Sequence, residues 1–358
     1  MGIEVKPTNQ TSNQRLYNSR PFPLTSDEGD PIMVNSRFSK GCFLYVASLF
    51  MACVGAVHAQ EYPTRSIRIV VPYSAGGGTD VFGRIIAKKL SERLGQQVVV
   101  DNRAGAGGII GTEIVAQAPH DGYTMLMLAN THALYPSFYK KLPFDPIKSF
   151  GAVTQVAFGP NVLVVHPSLP VQTVGQLLAL ARHRPGELAF GSAGTGSTTH
   201  LAGELFKSLA KINVVHVPYK GSGQAEIDLA GGQVQYMIDS VPAALPNLKA
   251  GRTRAIATTG RNRSPALPDV PTIAASGLPK YELSTWWGIM VPAGTPDPVI
   301  LKLNKAIVET MTLPDVKEFL AGQGAEPRTT SPQEFMEYIK TQTDFYRKIV
   351  ADAGIKPQ

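Results

Sequence analysis

Two glycine-rich segments constrain this chain more than any other feature: Tyr73-Ser-Ala-Gly-Gly-Gly-Thr-Asp80 and Gly191-Ser-Ala-Gly-Thr-Gly-Ser-Thr-Thr-His200. Each follows a short apolar run and precedes a stretch with helical spacing of apolar residues, so each reads as a bend from strand to helix. Glycine allows backbone to approach a ligand closely, and the first turn of a helix presents unpaired N–H groups carrying partial positive charge. Two such ends, far apart in sequence, could hold a small anion from both sides. That is the geometry of a binding cleft more than of an enzyme pocket.

The first 59 residues stand apart. Arg37 and Lys40 precede the uncharged stretch from Gly41 to Val57, and Val57-His58-Ala59 offers small residues at the −3 and −1 positions of a cleavage site. This reads as a secretory signal peptide cleaved after Ala59. An uncleaved membrane anchor is the alternative, and a lipoprotein through Cys53 lacks the usual residues before the cysteine. Residues 1–32 show no helical or strand period, and they precede Met33, which would itself start a well-formed leader, so the true start is expected at Met33. Cleavage would leave Gln60 to Gln358, long enough for two α/β lobes.

Composition narrows the function. Both cysteines, Cys42 and Cys53, fall in the leader, which removes disulfide staples, thiolate metal sites and cysteine nucleophiles from the remainder. The leader's five basic and four acidic residues leave a net charge of +6 out of the whole chain's +7. The basic residues are dispersed and never interleave with aromatics in a block, so nucleic acid is not an expected partner, whereas a mild positive field suits anionic solutes. The histidines form no close pair and no H-E-x-x-H, so neither a metal nor a cofactor is expected.

Along the chain, strands and helices alternate. Ile67–Val71 reads as a strand, 79–94 as a helix with Gly95 at its end, 97–101 and 123–128 as further strands, and 112–118 as a helix after the glycine-rich turn 102–111. The pattern restarts with strand 162–166, helix 174–183, strand 188–190, a helix carrying Leu201, Leu205 and Leu209, and strands 214–217, 234–239 and 254–258. Thr295-Pro296 reads as the start of a helix packing Val299, Ile300, Leu303 and Ile307. Ser331-Pro-Gln-Glu334 reads as a capping box for the last helix. Several strands are continuous apolar runs, which implies a parallel sheet covered on both faces.

These segments carry a family resemblance. Pro72-Tyr-Ser-Ala-Gly-Gly-Gly-Thr-Asp80, Asp101-Asn-Arg-Ala-Gly-Ala-Gly-Gly108, Pro119-His-Asp-Gly-Tyr-Thr124, Gly191-Ser-Ala-Gly-Thr-Gly-Ser197, Val217-Pro-Tyr-Lys-Gly221 and Pro292-Ala-Gly-Thr-Pro296 occur in order and at the right spacing. With them the chain resembles the substrate-binding receptors of tripartite tricarboxylate transporters, the Bordetella uptake gene or TctC family. The resemblance implies an α/β fold of the periplasmic-binding-protein type (type II, Venus flytrap), with the ligand cleft between two α/β lobes. Lobe one would comprise 61–158 and 282–358, and lobe two 159–281. It implies a periplasmic, monomeric receptor that binds a small organic acid or amino acid and hands it to integral-membrane transporter subunits. A ligand sensor for a membrane kinase would share the fold. In the family both glycine-rich loops seize a carboxylate, partly through water, and the Asp239 position faces the rest of the ligand. Where many members carry Asn or Thr after Gly107-Gly108, this chain has Ile109, which would make the cleft entrance more apolar if that turn reaches it.

The candidate ligand-binding residues are Tyr73, Ala75, Gly76, Gly77, Asp80, Asn130, Ser192, Thr195, Ser197, Thr198, His200 and Asp239. For Asp80, capping the helix start and positioning the ligand are both open. Asp239 ends an apolar strand, where an acidic residue is expensive unless satisfied, and it could bond backbone or a ligand hydroxyl or ammonium. Ser192 or Ser197 with His200 would suit a periplasmic serine hydrolase, but no Gly-x-Ser-x-Gly elbow surrounds either serine, so no catalytic residue is expected. Gly105-Ala-Gly107 only superficially resembles a dinucleotide loop. Trp286 and Trp287 are expected to pack where the lobes join, or one of them to floor the cleft.

Overall fold

The computed structural model describes residues 61–355, so the leader and its cleavage site lie outside the described residues. Apolar runs with β-branched residues form the strands: β1 (Ile67–Val71), β2 (Val98–Asn102), β3 (Thr124–Ala129), β4 (Phe150–Val165), β5 (Ala189–Ser192), β6 (Val215–Pro218), β7 (Tyr236–Ser240), β8 (Arg254–Thr258), β9 (Ser284–Pro292) and β10 (Glu326–Pro327). The helices are α1 (Gly78–Leu94), α2 (Ile109–Ala116), α3 (Thr131–Phe138), α4 (Val174–His183), α5 (Thr198–Ala210), α6 (Ser222–Ala230), α7 (Val241–Lys249), α8 (Asp297–Met311), α9 (Pro314–Gly322) and α10 (Pro332–Asp352).

The strand order is β2-β1-β3-β9-β4-β7-β5-β6, with β8 and β10 also paired to β4. The expected all-parallel sheet is corrected: β1 runs parallel to β2 and β3, and β5 parallel to β6 and β7, but the central pairings are antiparallel. The cause is β4. Its first part, Phe150–Pro160, pairs with β9, and its second part, Asn161–Val165, pairs with β7 and largely with β8. One strand thus serves both halves of a two-lobed molecule. Gly159-Pro160 stands at the handover, and proline, which lacks a donor, suits a point where a ladder breaks. Register shifts at Ala152/Thr154, Gln155/Ala157 and Leu163/Val164 bend the strand along its length.

Helix ends follow local chemistry. Gly95 closes α1 at φ 65°, a left-handed geometry that favours glycine. Ser331 and Glu334 form the expected capping box of α10. The Thr295 cap is corrected: Pro296 takes the cap position of α8, and the Thr295 hydroxyl donates to the Pro292 carbonyl at 2.8 Å. The second helix begins at Ile109, earlier than the expected Thr112, after a 3₁₀ turn at Ala106–Gly108. Phe82, Ile86 and Leu90 of α1 are buried against the first half of the sheet, where Phe82 meets Trp287 edge-on at 4.6 Å. Among the described residues, no helix is long and apolar enough to cross a membrane.

Candidate functional site

Each glycine-rich loop is held by side chains, and the first leaves its helix start uncapped. In the first, Gly77 caps α1 with no side-chain bond, so the N–H groups of the opening turn keep their free direction. Asp80 faces backward into the loop: its carboxylate accepts from Gly76 N at 3.0 Å, Arg84 Nε at 2.9 Å and Asn102 Nδ2 at 3.0 Å. Burial works against its ionisation, but Arg84, the Gly76 N–H and Asn102 outweigh that and hold the carboxyl below its usual range.

In the second loop, Ser197 Oγ accepts from His200 N at 3.2 Å and caps α5, while Thr199 Oγ1 accepts from Ala193 N at 2.7 Å. His200 Nδ1 accepts from Gly196 N at 3.2 Å, and its ring stacks on His216 at 4.0 Å. Burial, the neighbouring His216 and then Lys207 push His200 down to about 3, so the ring is neutral. Ser192 Oγ bonds His216 Nε2 at 2.6 Å and accepts from Gly194 N at 3.1 Å. Burial lowers His216 to about 4, and among the described residues no carboxylate bonds either histidine. The serine–histidine contact therefore differs from the expected pairing with His200, and it lacks the orienting acid that a nucleophile requires.

The two loops meet. Tyr139 OH donates to Thr195 O at 2.7 Å, Thr198 N donates to Thr131 Oγ1 at 3.2 Å, and Ser74 N donates to Lys220 O at 3.3 Å. At Gly107, φ 62°, an added Cβ would stand 2.2 Å from Thr195 O, so glycine alone permits this crossing. The 102–111 turn thus does reach the second loop. Ile109 itself packs half-buried on the core instead of lining the entrance.

Between the loops lies a cavity of about 40 Å³. Five sequence candidates border it: Tyr73, Gly77, Ser197, Thr198 and Asp239. Seven do not, for visible reasons. Asp80, Ser192 and His200 are committed to the loop bonds above, and Thr195 and Gly76 offer backbone to those same loops. The Ala75 carbonyl lies where a Cβ on Gly223 would stand, 1.9 Å away. Asn130 bonds Ser284 O at 2.7 Å, Tyr346 OH at 2.5 Å and Trp286 N at 2.7 Å, which ties the end of β3 to β9 and α10.

Of the rest of the wall, the sequence pointed to Gly78 in the glycine loop and to a tryptophan at the cleft floor, and the remaining residues carried no signal. Gly78, Thr79 and Thr199 extend the two helix starts, and Ala193 lies within the second loop. Ala129, Thr131, Asn161, Ser222, Ser240 and Thr285 come from strand ends and helix starts with no motif around them. Trp287 supplies an apolar wall, whereas Trp286 turns away onto Phe335 and Tyr338. Among the described residues no lysine or arginine lines the cavity, so its donors to an anion are backbone N–H groups and hydroxyls. No group of three His, Cys, Asp or Glu among the described residues could hold a metal ion.

Asp239 is the one ionisable carboxyl in the wall. Its Oδ1 accepts from Ser240 N at 2.6 Å, and Oδ2 is buried without a partner. Burial raises the carboxyl to about 6, against the opposing effect of Ser222 and Ser240.

This is the architecture of a two-lobed α/β solute-binding protein. The family description "tripartite tricarboxylate transporter family receptor" matches residues 82–355, and the chain belongs to that family. Its members are periplasmic solute-binding receptors. BugT of Bordetella pertussis is 38% identical over 318 residues, 87% of this chain and 98% of that protein. The solved structure of R. palustris Rpa4515 with adipate shares 40% identity at a TM-score of 0.81, covering 83% of this chain and all of that one. MatC of Rhodopseudomonas palustris with bound malate shares 30% identity at a TM-score of 0.78, over 81% of this chain and all of that one.

Proposed function

We propose that this chain is an extracytoplasmic receptor that captures a small organic acid in the cavity between its two lobes and delivers it to the membrane subunits of a tripartite tricarboxylate-type transporter. The observation that carries the reading is the convergence of two helix starts, Gly77–Thr79 and Ser197–Thr199, on one cavity whose wall, among the described residues, holds no lysine or arginine. The uncapped start of α1 and the dipoles of both helices favour an anion there without an ion pair. Relatives with adipate and malate bound support a carboxylate as that anion.

We assign residues 61–158 and 282–358 to the first lobe and 159–281 to the second, with the bend where β4 passes from β9 to β7. The ligand carboxylate sits between the helix starts, with Tyr73, Gly77, Ser197 and Thr198 nearest to it and Asp239 facing the remainder. Lobe closure then buries the ligand. The leader, cut after Ala59, carries the chain to the periplasm. A thermal-shift screen against mono-, di- and tricarboxylates, amino acids and aromatic acids, followed by calorimetry, tests the reading. A micromolar Kd corresponds to about 8 kcal/mol. Binding of no carboxylate would overturn it.

A further inference from the structure

Behind the cavity wall lies a second buried carboxyl. Glu226 of α6 is 3% exposed, Asp239 of β7 is 2% exposed, and each keeps one oxygen, Oε1 and Oδ2, with no hydrogen-bond partner. Ala225 beside Glu226 and Val162 opposite Asp239 belong to an apolar core cluster that also holds Met237 and Val241. The charged groups on the packed elements are engaged elsewhere: on α5, Glu204 pairs with Lys207 at 2.7 Å. From α7 comes Asn247, whose Nδ2 donates to Glu226 O at 3.0 Å and lies 3.3 Å from Glu226 Oε2, while Lys249 is exposed. On α1, Asp80 and Arg84 bond each other. On α6, Asp228 acts on Tyr219, and β5 ends in Ser192. Among the described residues neither carboxyl joins an ion pair.

Two buried carboxyls near enough for the charge of one to raise the other, with no cation beside them, resist joint ionisation near neutral pH. Burial first, and Asp239 second, raise Glu226 well above its ordinary range. Of the two, Glu226 is thus the carboxyl that holds a proton more tightly, and the negative charge of the pair falls first on Asp239. Asn161, also in the cavity wall, uses its Oδ1 to accept from Thr285 Oγ1 at 2.7 Å, and its Nδ2 is buried without a partner. One wall therefore offers an unused donor, Asn161 Nδ2, and an unused acceptor, Asp239 Oδ2. A ligand hydroxyl satisfies both, since it accepts from one and donates to the other. A carboxylate only accepts, so it fits only if Asp239 carries a proton.

Building on the receptor reading, we propose that Asp239, backed by Glu226 and joined by Asn161, selects organic acids whose second polar group is a hydroxyl, or a second carboxylate taken up together with one proton. Hydroxy acids bring the shared hydrogen themselves, while dicarboxylates draw it from solvent onto Asp239 Oδ2.

The test compares two matched pairs, succinate with 4-hydroxybutanoate and adipate with 6-hydroxyhexanoate, by calorimetry between pH 5.5 and 8.5. For the dicarboxylates, Kd should rise about tenfold per pH unit above the Asp239 titration, and buffers of different ionisation enthalpy should report uptake of about one proton. For the hydroxy acids, Kd should stay level above pH 7. Asp239→Asn, which presents a permanent donor, should bind the dicarboxylates with no pH slope. Carboxyl-carbon NMR of the ligand-free protein, with Glu226→Gln and Asp239→Asn for assignment, should show one proton held by the pair at pH 7. Two ionised carboxylates at pH 7, a level dicarboxylate profile, or a slope that survives Asp239→Asn would each overturn the proposal. Binding of none of the four acids would also overturn it, and if other acids then bound, the receptor reading would stand.

Discussion

Gly78 gives the sharpest test of loop closure. It opens α1, and a Cβ placed there would stand 2.6 Å from Ser240 Oγ, 3.2 Å from Pro242 Cγ and 3.2 Å from Trp287 Cζ2. Ser240 Oγ can rotate, but it also sits 3.4 Å from Asp239 Oδ1, and the proline and tryptophan rings are buried and fixed. Overpacking of this kind costs roughly 1–3 kcal/mol. Ser240 and Pro242 belong to β7 and α7 of the second half, so opening the lobes relieves those two contacts, whereas Trp287 of β9 stays beside Gly78 in the first. Gly78→Ala should therefore weaken carboxylate binding about 5- to 150-fold. The ligand-free melting temperature should hold, because alanine is the better helix former. Calorimetry with the tightest acid of the panel, beside thermal melts without ligand, reads both effects. Equal affinity for Gly78→Ala and wild type would refute the idea that these surfaces close on the ligand.

Three more outcomes follow from the loop supports. Burial lowers His132 to about 4 and, with His216, lowers His200 to about 3; both rings are neutral when folded but bind protons when unfolded. Stability should accordingly fall as pH drops below the unfolded value near 6.5, by about 2 kcal/mol per histidine at pH 5. Urea melts of wild type and His200→Gln check this, and an unchanged acid slope in the variant would remove His200 from the account. Asp80→Ala strands the Gly76 N–H and the Asn102 amide and should cost about 2–3 kcal/mol at pH 7. Since the Asp80 carboxyl is held low, the ionised part of that contribution is present above the unfolded value of about 4 and is lost as pH falls through the lowered folded titration, so the gap between the two proteins should narrow in acid; a gap that does not change with pH would contradict it. Ser192→Ala should cost about 1–2 kcal/mol of stability and leave carboxylate affinity within a few fold, and loss of binding would return Ser192 to the ligand contacts.

Legibility in the sequence followed how local the cause was. The bounds of β1, α4 and β8 and the capping box at Ser331 came from residues within one turn or strand, and the structure places them there. The helices α3, α6 and α7 went unseen. Pro136 and Pro246 sit inside the first and last of these, and α6 opens on Ser-Gly, so propensity opposed what packing enforces. The first part of β4 and all of β9 were missed because their pairing joins distant segments, and Gly151, Gly159 and Pro160 break the apolar run. The same division runs through the cavity. Residues in the glycine loops could be found because a backbone that must approach a ligand leaves glycines behind. Asn161, Thr131, Thr285 and Ser222 are single polar residues whose meaning appears only when strand ends and helix starts from both halves converge.

That division also separates two tasks within the site. The helix starts supply donors that need no side chain ordered on binding, and they impose no buried guanidinium whose desolvation must be offset whenever the cavity stands empty. Such a clamp holds any carboxylate about equally well, so it cannot by itself distinguish one acid from another. Discrimination must come from the part of the wall that varies in donor and acceptor character, and here that is Asn161 with the Asp239–Glu226 pair. An acid lacking a group to meet Asp239 Oδ2 would leave a buried carboxyl unpaired, a cost of about 1–3 kcal/mol or up to about a hundredfold in affinity. Chain length among acids should then matter through whether the second group reaches Asp239, more than through apolar contact with Trp287. A series of dicarboxylates from malonate to pimelate should show one affinity maximum in wild type. The maximum should survive in Trp287→Phe and flatten in Asp239→Ala; the reverse outcome would assign selectivity to the tryptophan wall.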